Sequence, residues 1–329
     1  MGAESTTSTL FNKFIHISCI VIISVLLFSS LTHYITESND RTRCHGLLNE
    51  GWWQGDNYTN WQAPGCMIHE YKPEEISTCL SHSRILYVGD SIMREQFYSM
   101  NRLTHSFDIK GGLHVDRKYK SEKYGMTYEF WWDPYINQTR TMDLLKGKDQ
   151  TGDKPSLLVI GTGVWYARRL AEDVYLEEWK QAVDRVFEGV ETTDQIADTV
   201  LLSPVEIPQF NLLNPIRQKL ITMDKITIMN NYLHQRELSL QPKSPFATVF
   251  AWNSIAASTV NITKDGLHYL PPVTLPQAQL ALNFRCNQQL PKHYPINTTC
   301  CMHYPAPYWY QNIFFIFFLI WVPLAFYFI

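Results

Sequence analysis

The chain has no excess of basic side chains: 28 Lys and Arg stand against 31 Asp and Glu, and no run of like charges occurs. Phosphate backbones demand a concentrated basic face, so nucleic acid is excluded as the main partner. Charge of either sign is scarce at 18% of residues, whereas aromatics reach 14%. That balance excludes a disordered or coiled-coil chain. Internal repeats and low-complexity tracts are missing. No Cys-x-x-Cys pair and no His-x-x-x-His spacing occurs, so the sequence indicates no metal site.

What the chain does have is a hydrophobic run at each end. Residues 14–32 (FIHISCIVIISVLLFSSLT) carry no Lys, Arg, Asp or Glu. As a helix they would rise about 28 Å, near the thickness of a bilayer core. A cleaved signal peptide has a shorter apolar region of ~7–15 residues. Residues 14–34 are therefore expected to be an uncleaved signal anchor behind a cytosolic tail of residues 1–13. Residues 313–329 (IFFIFFLIWVPLAFYFI) form a second uncharged run preceded by Tyr308, Trp309 and Tyr310. Such aromatics suit a membrane interface, and the run is expected to re-enter the bilayer, either as an inserted tail or as the first span of a larger bundle.

Between these ends, residues 36–310 are ample for one large core. They hold four Asn-x-Ser/Thr acceptors, at Asn57, Asn137, Asn261 and Asn297. Six of the seven cysteines (Cys44, Cys66, Cys79, Cys286, Cys300 and Cys301) lie there, and Cys19 lies in the first hydrophobic run. Acceptors and an even cysteine count indicate a secretory-pathway lumen that permits disulfides. Pairing stays open. Neighbouring Cys300 and Cys301 are expected to serve different bridges, since bridged Cα atoms prefer ~4.4–6.8 Å.

Residues 36–80 are rich in Gly, Trp, Asn and Cys and read as a disulfide-stapled collar before a domain at 81–310. Arg84-Ile85-Leu86-Tyr87-Val88 is a continuous apolar run suited to a strand buried on both faces. It ends at Gly89-Asp90-Ser91, after which a helix is expected over 92–103. Further strands are expected at 156–160, 199–202 and 247–251. Helices are expected around Leu176, Trp179, Val183, Val186, Phe187 and Val190, over 223–238 and over 276–288. Strands alternating with helices imply a parallel sheet in an α/β/α layered domain. Residues 108–154 show no clear periodicity and are either an insertion over the site or an added hairpin.

Two motifs carry chemistry. Ser91 stands where a strand gives way to a helix, so unpaired N–H groups and the helix dipole can meet developing negative charge beside its hydroxyl. By itself, Gly-Asp-Ser could simply cap the helix. Asp265-Gly266-Leu267-His268 precedes the last helix. There Asp265 can accept the His268 Nδ1–H and fix the tautomer, leaving Nε2 as base for Ser91. Both motifs in this chain order are far more specific than either alone. Arg94, one turn after Ser91, can face an anionic group or form an ordinary ion pair. The remaining histidines, His114 among them, receive no role, and the many tryptophans are read chiefly as packing.

At these residues the sequence resembles the SGNH/GDSL esterase superfamily. More closely, it is similar to the lumenal PC-esterase domain of the sialate and fungal capsule-polysaccharide O-acetyltransferases, with plant cell-wall polysaccharide O-acetyltransferases more distant. The likeness runs through the collar, RILYVGDSIMREQFYSM, FWWDPYIN, LLVIGTGVWYA and DGLHYLPPVTLPQAQLALNFRCN to Cys300-Cys301. It implies a three-layer α/β/α SGNH-hydrolase-like domain flanked by N- and C-terminal transmembrane helices. It also implies a Golgi membrane location with the catalytic domain lumenal. Ser91 becomes the nucleophile, His268 the general base and Asp265 its orienting carboxylate. Acetyl-CoA becomes the donor, with no bound cofactor and no metal, and a sialic acid conjugate or polysaccharide becomes the acceptor. Many SGNH enzymes place an oxyanion-hole Asn where this chain has Gly161. Ser91, Gly112, Gly161 and Gly163 remain as candidate oxyanion donors, beside Gly111, and Arg94 and Trp165 as candidate substrate contacts. Two other readings stay open: a carbohydrate acetylesterase using the same residues with water as acceptor, and a non-catalytic glycan-binding module.

Overall fold

The computed structural model describes residues 40–289, apart from 56–57, 65–66 and 106–111, together with residues 300–301 and scattered positions between 15 and 27. The chain divides into two units, residues 1–43 with 303–329, and residues 44–302. In the first unit, the described positions between 15 and 27 are helical. Among the described residues no helix is long and apolar enough to cross a membrane. The expected span at 313–329 lies outside the described residues, as do much of the span at 14–34, Asn57, Cys66, Gly111 and Asn297.

The second unit begins in the collar. Helix α1 (Asp40–Asn49) leads to a short antiparallel pair, β1 (Trp52–Trp53) and β2 (Trp61–Gln62), and then to helix α2 (Pro73–Leu80). Trp53 packs edge-on against Trp61 with ring centroids 5.1 Å apart. Two bridges join this collar to the far end of the chain: Cys44 to Cys301 and Cys79 to Cys286, with Cα separations of 4.8 and 5.8 Å. Cys300 is also disulfide-bonded. Since Cys301 pairs with Cys44, the neighbouring cysteines serve separate bridges, as expected.

The core is a six-stranded sheet. Strand β3 (Arg84–Gly89) feeds helix α3 (Ser91–Arg102), and β4 (Arg117–Lys120) and β5 (Thr127–Trp132) precede helix α4 (Thr139–Leu145). Strand β6 (Leu157–Gly161) is followed by helices α5 (Val164–Arg169) and α6 (Tyr175–Thr192), and β7 (Val200–Leu202) by α7 (Pro215–Leu220) and α8 (Met223–Leu238). Strand β8 (Phe246–Thr248), α9 (Ala251–Ala257) and α10 (Pro271–Cys286) complete the unit. Strand order is β4-β5-β3-β6-β7-β8, parallel throughout except for the antiparallel β4 edge. Every residue of β3 and β6 is buried, which is why residues 85–88 and 157–160 read as unbroken apolar runs. Helix α6 covers the sheet with Trp179, Val183, Val186, Phe187 and Val190 on one buried face. Each such side chain contributes about 1.5–3 kcal/mol.

Three expectations need correction. The segment 108–154 carries the expected hairpin, with β4 at the sheet edge, but the hairpin is not merely added: β5 is an interior strand paired with β3 along its full length. The last helix starts at Pro271 rather than at 276. Proline is tolerated in a first turn, where its missing N–H has no intrahelical partner, and Pro271 and Pro272 occupy that turn. The strand expected over 247–251 is also shorter, since α9 already starts at Ala251.

Candidate active site

Ser91 and His268 are 177 positions apart, and the packing of two helices brings them together. Ser91 opens α3, and His268 stands three residues before α10. These helices lie against each other through buried polar contacts: Ser99 donates to Thr274 at 2.6 Å, and the Gln96 amide donates to Gln277. Gly89 makes the strand-to-helix turn possible. Its φ is +149°, and a Cβ there would stand 2.1 Å from the Gly161 carbonyl oxygen. Asp90 then caps α3 by accepting the Ile92 N–H at 2.9 Å. The Ser91 N–H, first of the helix, has no intrahelical acceptor.

The Asp265 loop is a tight reversal. Thr263 bridges Tyr269, and the Lys264 N–H donates to the His268 carbonyl at 2.9 Å. Gly266 sits at φ +81°, with a would-be Cβ 2.7 Å from the Leu213 nitrogen, so only glycine fits. The reversal turns Asp265 back on its own loop. One carboxylate oxygen accepts the His268 N–H at 2.9 Å and the Leu267 N–H at 3.2 Å, and the other accepts an Arg217 guanidinium N–H. Both lie 3.0 Å from His268 Nδ1. Burial pushes this carboxyl up, but the Arg217 hydrogen bond, the His268 N–H and the imidazole outweigh it and hold it well below the ordinary carboxylate range. An ionised Asp265 can only accept, so His268 Nδ1 carries the proton and Nε2 is the acceptor. Nε2 lies 2.8 Å from Ser91 Oγ, a distance fit for taking the serine proton.

These groups face a cavity of about 630 Å³, a size suited to a small ligand. Arg94 and Trp165 line it, as do Ser91 and Gly112 of the candidate oxyanion donors. Gly161 and Gly163 are not among its lining residues. Gly161 instead pairs with Gly89 at the sheet end, where a Cβ would meet Ser203 at 2.6 Å and Met93 sulfur at 2.8 Å. An Asn therefore has no room at this position. Arg94 is buried and already engaged: it donates to the Leu113 carbonyl and pairs with Glu95 at 3.2 Å. Trp165 carries the Arg169 guanidinium over its ring at 5.0 Å and meets His114 edge-on. Of the glycosylation acceptors, Asn137 and Asn261 are exposed.

The sequence reading missed Arg217, Arg168, Arg169 and Lys264, which line the cavity from α5, α7 and the Asp265 loop. Only Lys264, beside Asp265, carried any local signal. It also missed a buried acid behind the serine. Asp90 and Glu206 wall a small void with Met93, Gly161 and Ser203. Burial pushes Asp90 up to about 6. Burial, with Asp90 and Glu95 nearby, pushes Glu206 from 4.5 up to about 8. The folded chain thus holds the Glu206 proton at pH values where the unfolded chain has lost it. That contribution to stability is complete below the unfolded value and disappears as pH rises through about 8. Wild-type melting temperature should therefore fall relative to Glu206→Gln between about pH 5 and 8, as scanning fluorimetry would read. Parallel profiles would refute the assignment. Among the described residues no cluster of His, Cys, Asp or Glu could hold a metal ion.

A serine, a histidine and an ionised aspartate in hydrogen-bonded series define the relay used for acyl transfer and ester hydrolysis on several unrelated folds. No family model matches the chain. Among known proteins, the N-acetylneuraminate (7)9-O-acetyltransferase of Danio rerio is 27% identical over 291 residues, covering 87% of this chain and 35% of that protein. The Arabidopsis thaliana protein trichome birefringence-like 3 is 29% identical over 125 residues, covering 32% of this chain and 29% of its own. Xylan O-acetyltransferase 7 of Oryza sativa subsp. japonica is 30% identical over 101 residues, covering 27% and 16%. The chain is a homologue of the sialate O-acetyltransferase, as its motifs suggested, and spans about a third or less of the length of these curated relatives. An acetylxylan esterase structure from Geobacillus stearothermophilus aligns at TM-score 0.40 and 15% identity, covering 63% of this chain and 95% of that one. That likeness is too loose to carry weight.

Proposed function

We propose that this chain is the catalytic part of a membrane-tethered, Golgi-lumenal O-acetyltransferase that moves acetyl from acetyl-CoA to a glycan hydroxyl. The observation that carries the reading is the Ser91 Oγ to His268 Nε2 contact of 2.8 Å, with Nδ1 held by Asp265. In the first half-reaction Ser91 Oγ gives its proton to Nε2 and bonds to the acetyl carbon. The Ser91 N–H, at the positive end of α3, meets the oxyanion. The intermediate collapses by breaking the C–S bond, and the CoA sulfur leaves with the proton from His268. In the second half-reaction the glycan hydroxyl gives its proton to Nε2 and attacks acetyl-Ser91, which leaves as the reprotonated serine.

The Danio rerio relative's name supports N-acetylneuraminate as acceptor, and the rice relative's name supports xylan or a related polysaccharide. A lumenal setting is supported by the Cys44–Cys301 and Cys79–Cys286 bridges and by the exposed acceptors Asn137 and Asn261. The test is acetyl-CoA consumption with and without glycan. Turnover that rises on adding N-acetylneuraminate or xylan, with acetate as a minor product, is expected. Equal turnover without glycan would make the chain an esterase.

A further inference from the structure

The cavity in front of Ser91 carries five cationic side chains, Arg94, Arg168, Arg169, Arg217 and Lys264, against two carboxylates, Glu95 and Asp265. Both carboxylates are already committed. Asp265 serves His268 and Arg217, and Glu95 is shared between Arg94 at 3.2 Å and Lys264 at 3.4 Å. Two guanidiniums are left over. Among the described residues, neither Arg168 nor Arg169 makes a hydrogen bond or an ion pair. Arg169 rests only on the Trp165 ring. Arg168 is half-buried, and its burial with the like charges of Arg217 and Arg169 presses its pKa down against the pull of the Asp265 carboxylate. Both occupy the last turn of α5, where one cation would suit the helix dipole. A dipole does not explain two adjacent guanidiniums lining one cavity with the nucleophile.

We propose that Arg168 and Arg169 form an oxyanion-group subsite of the catalytic cavity, receiving a carboxylate or phosphate of the molecule that reacts at Ser91. The proposal rests on the acyl-transfer reading of that cavity. Guanidinium forks match planar carboxylates and phosphates through paired N–H donors, and neither fork is otherwise engaged. The site moves anion recognition away from Arg94, which is buried and already held by the Leu113 carbonyl and the Glu95 carboxylate. The anion has two sources, a carboxylate on the acceptor or a phosphate on the donor.

Calorimetric titration of the full chain with CoA, and separately with N-acetylneuraminic acid, separates them without needing turnover. At least one should bind, and Arg168→Gln combined with Arg169→Gln should weaken it by about tenfold or more. Lysine at both positions should restore part of that loss. Loss confined to CoA assigns the phosphate, and loss confined to N-acetylneuraminic acid assigns the carboxylate. Melting curves verify folding, and Arg169→Gln alone, at an exposed side chain, keeps the comparison available if the double variant is unstable. Binding of neither compound, or equal binding by wild type and variant, overturns the subsite. Failure of the acyl-transfer reading shows separately, as a Ser91 that a fluorophosphonate does not label.

Discussion

Ser91→Ala is expected to lower acetyl transfer by about 10⁴-fold or more, and His268→Ala to lower it about as much. The two act as one unit. Without Oγ there is no atom to carry the acetyl group, and without Nε2, 2.8 Å away, nothing takes the serine proton. Asp265→Asn should be milder, by about 10³-fold, since an amide leaves the imidazole in place but can pair with the wrong tautomer. Ser91→Ala and His268→Ala remove no core contact, so their melting temperature and glycosylation should stay near wild type while kcat/KM collapses; Asp265→Asn, which loses the charged contact to Arg217, should also melt lower. A Ser91→Ala chain retaining even a tenth of wild-type transfer would place the nucleophile elsewhere.

The second large effect concerns stability. Cys79 lies in the last turn of α2 and Cys286 ends α10, and their bridge joins residues 207 positions apart. Cys44–Cys301 already joins the same two regions and shortens the loop that this bridge closes, so its loss is expected within the ~2–5 kcal/mol usual for native bridges. Domains are stable by only ~5–15 kcal/mol, so the loss is a large share of the total. The helix it anchors also carries Gln277 and Thr274, which dock α3 behind Ser91. Replacing both cysteines by serine should lower the melting temperature by about 5–15 °C and reduce the yield of folded protein, with activity falling in step. An unchanged melting curve would show that α10 holds its place without the bridge.

Strand β3, strand β6 and helix α8 were legible because each is long or continuously apolar, so period and composition agree. The serine and histidine were legible because each lies in a motif short enough to act locally. β5 was not. Its centre holds Glu129, buried against Arg84 at 2.9 Å while Asp149 engages the same guanidinium at 2.6 Å, and a charge in mid-strand breaks the apolar pattern. Arg217 was invisible for another reason. It enters the site from α7, 48 positions before Asp265, and no spacing rule links a surface helix to a distant loop. The pair Arg168 and Arg169 looked like an ordinary cationic helix end. Only the fold shows that nearby carboxylates are already taken by other cations. The Gly161 departure was visible in sequence, but its cause, the closeness of Ser203 and Met93, was not.

The most direct measurement is the mass of the Ser91 peptide after acid quenching of the chain incubated with acetyl-CoA and no glycan. One acetyl group on Ser91, disappearing when N-acetylneuraminate or xylan is added and missing from His268→Ala, is the expected result. An unmodified Ser91 under conditions where acetyl transfer proceeds, or an acetyl adduct that persists in Ser91→Ala, would contradict it.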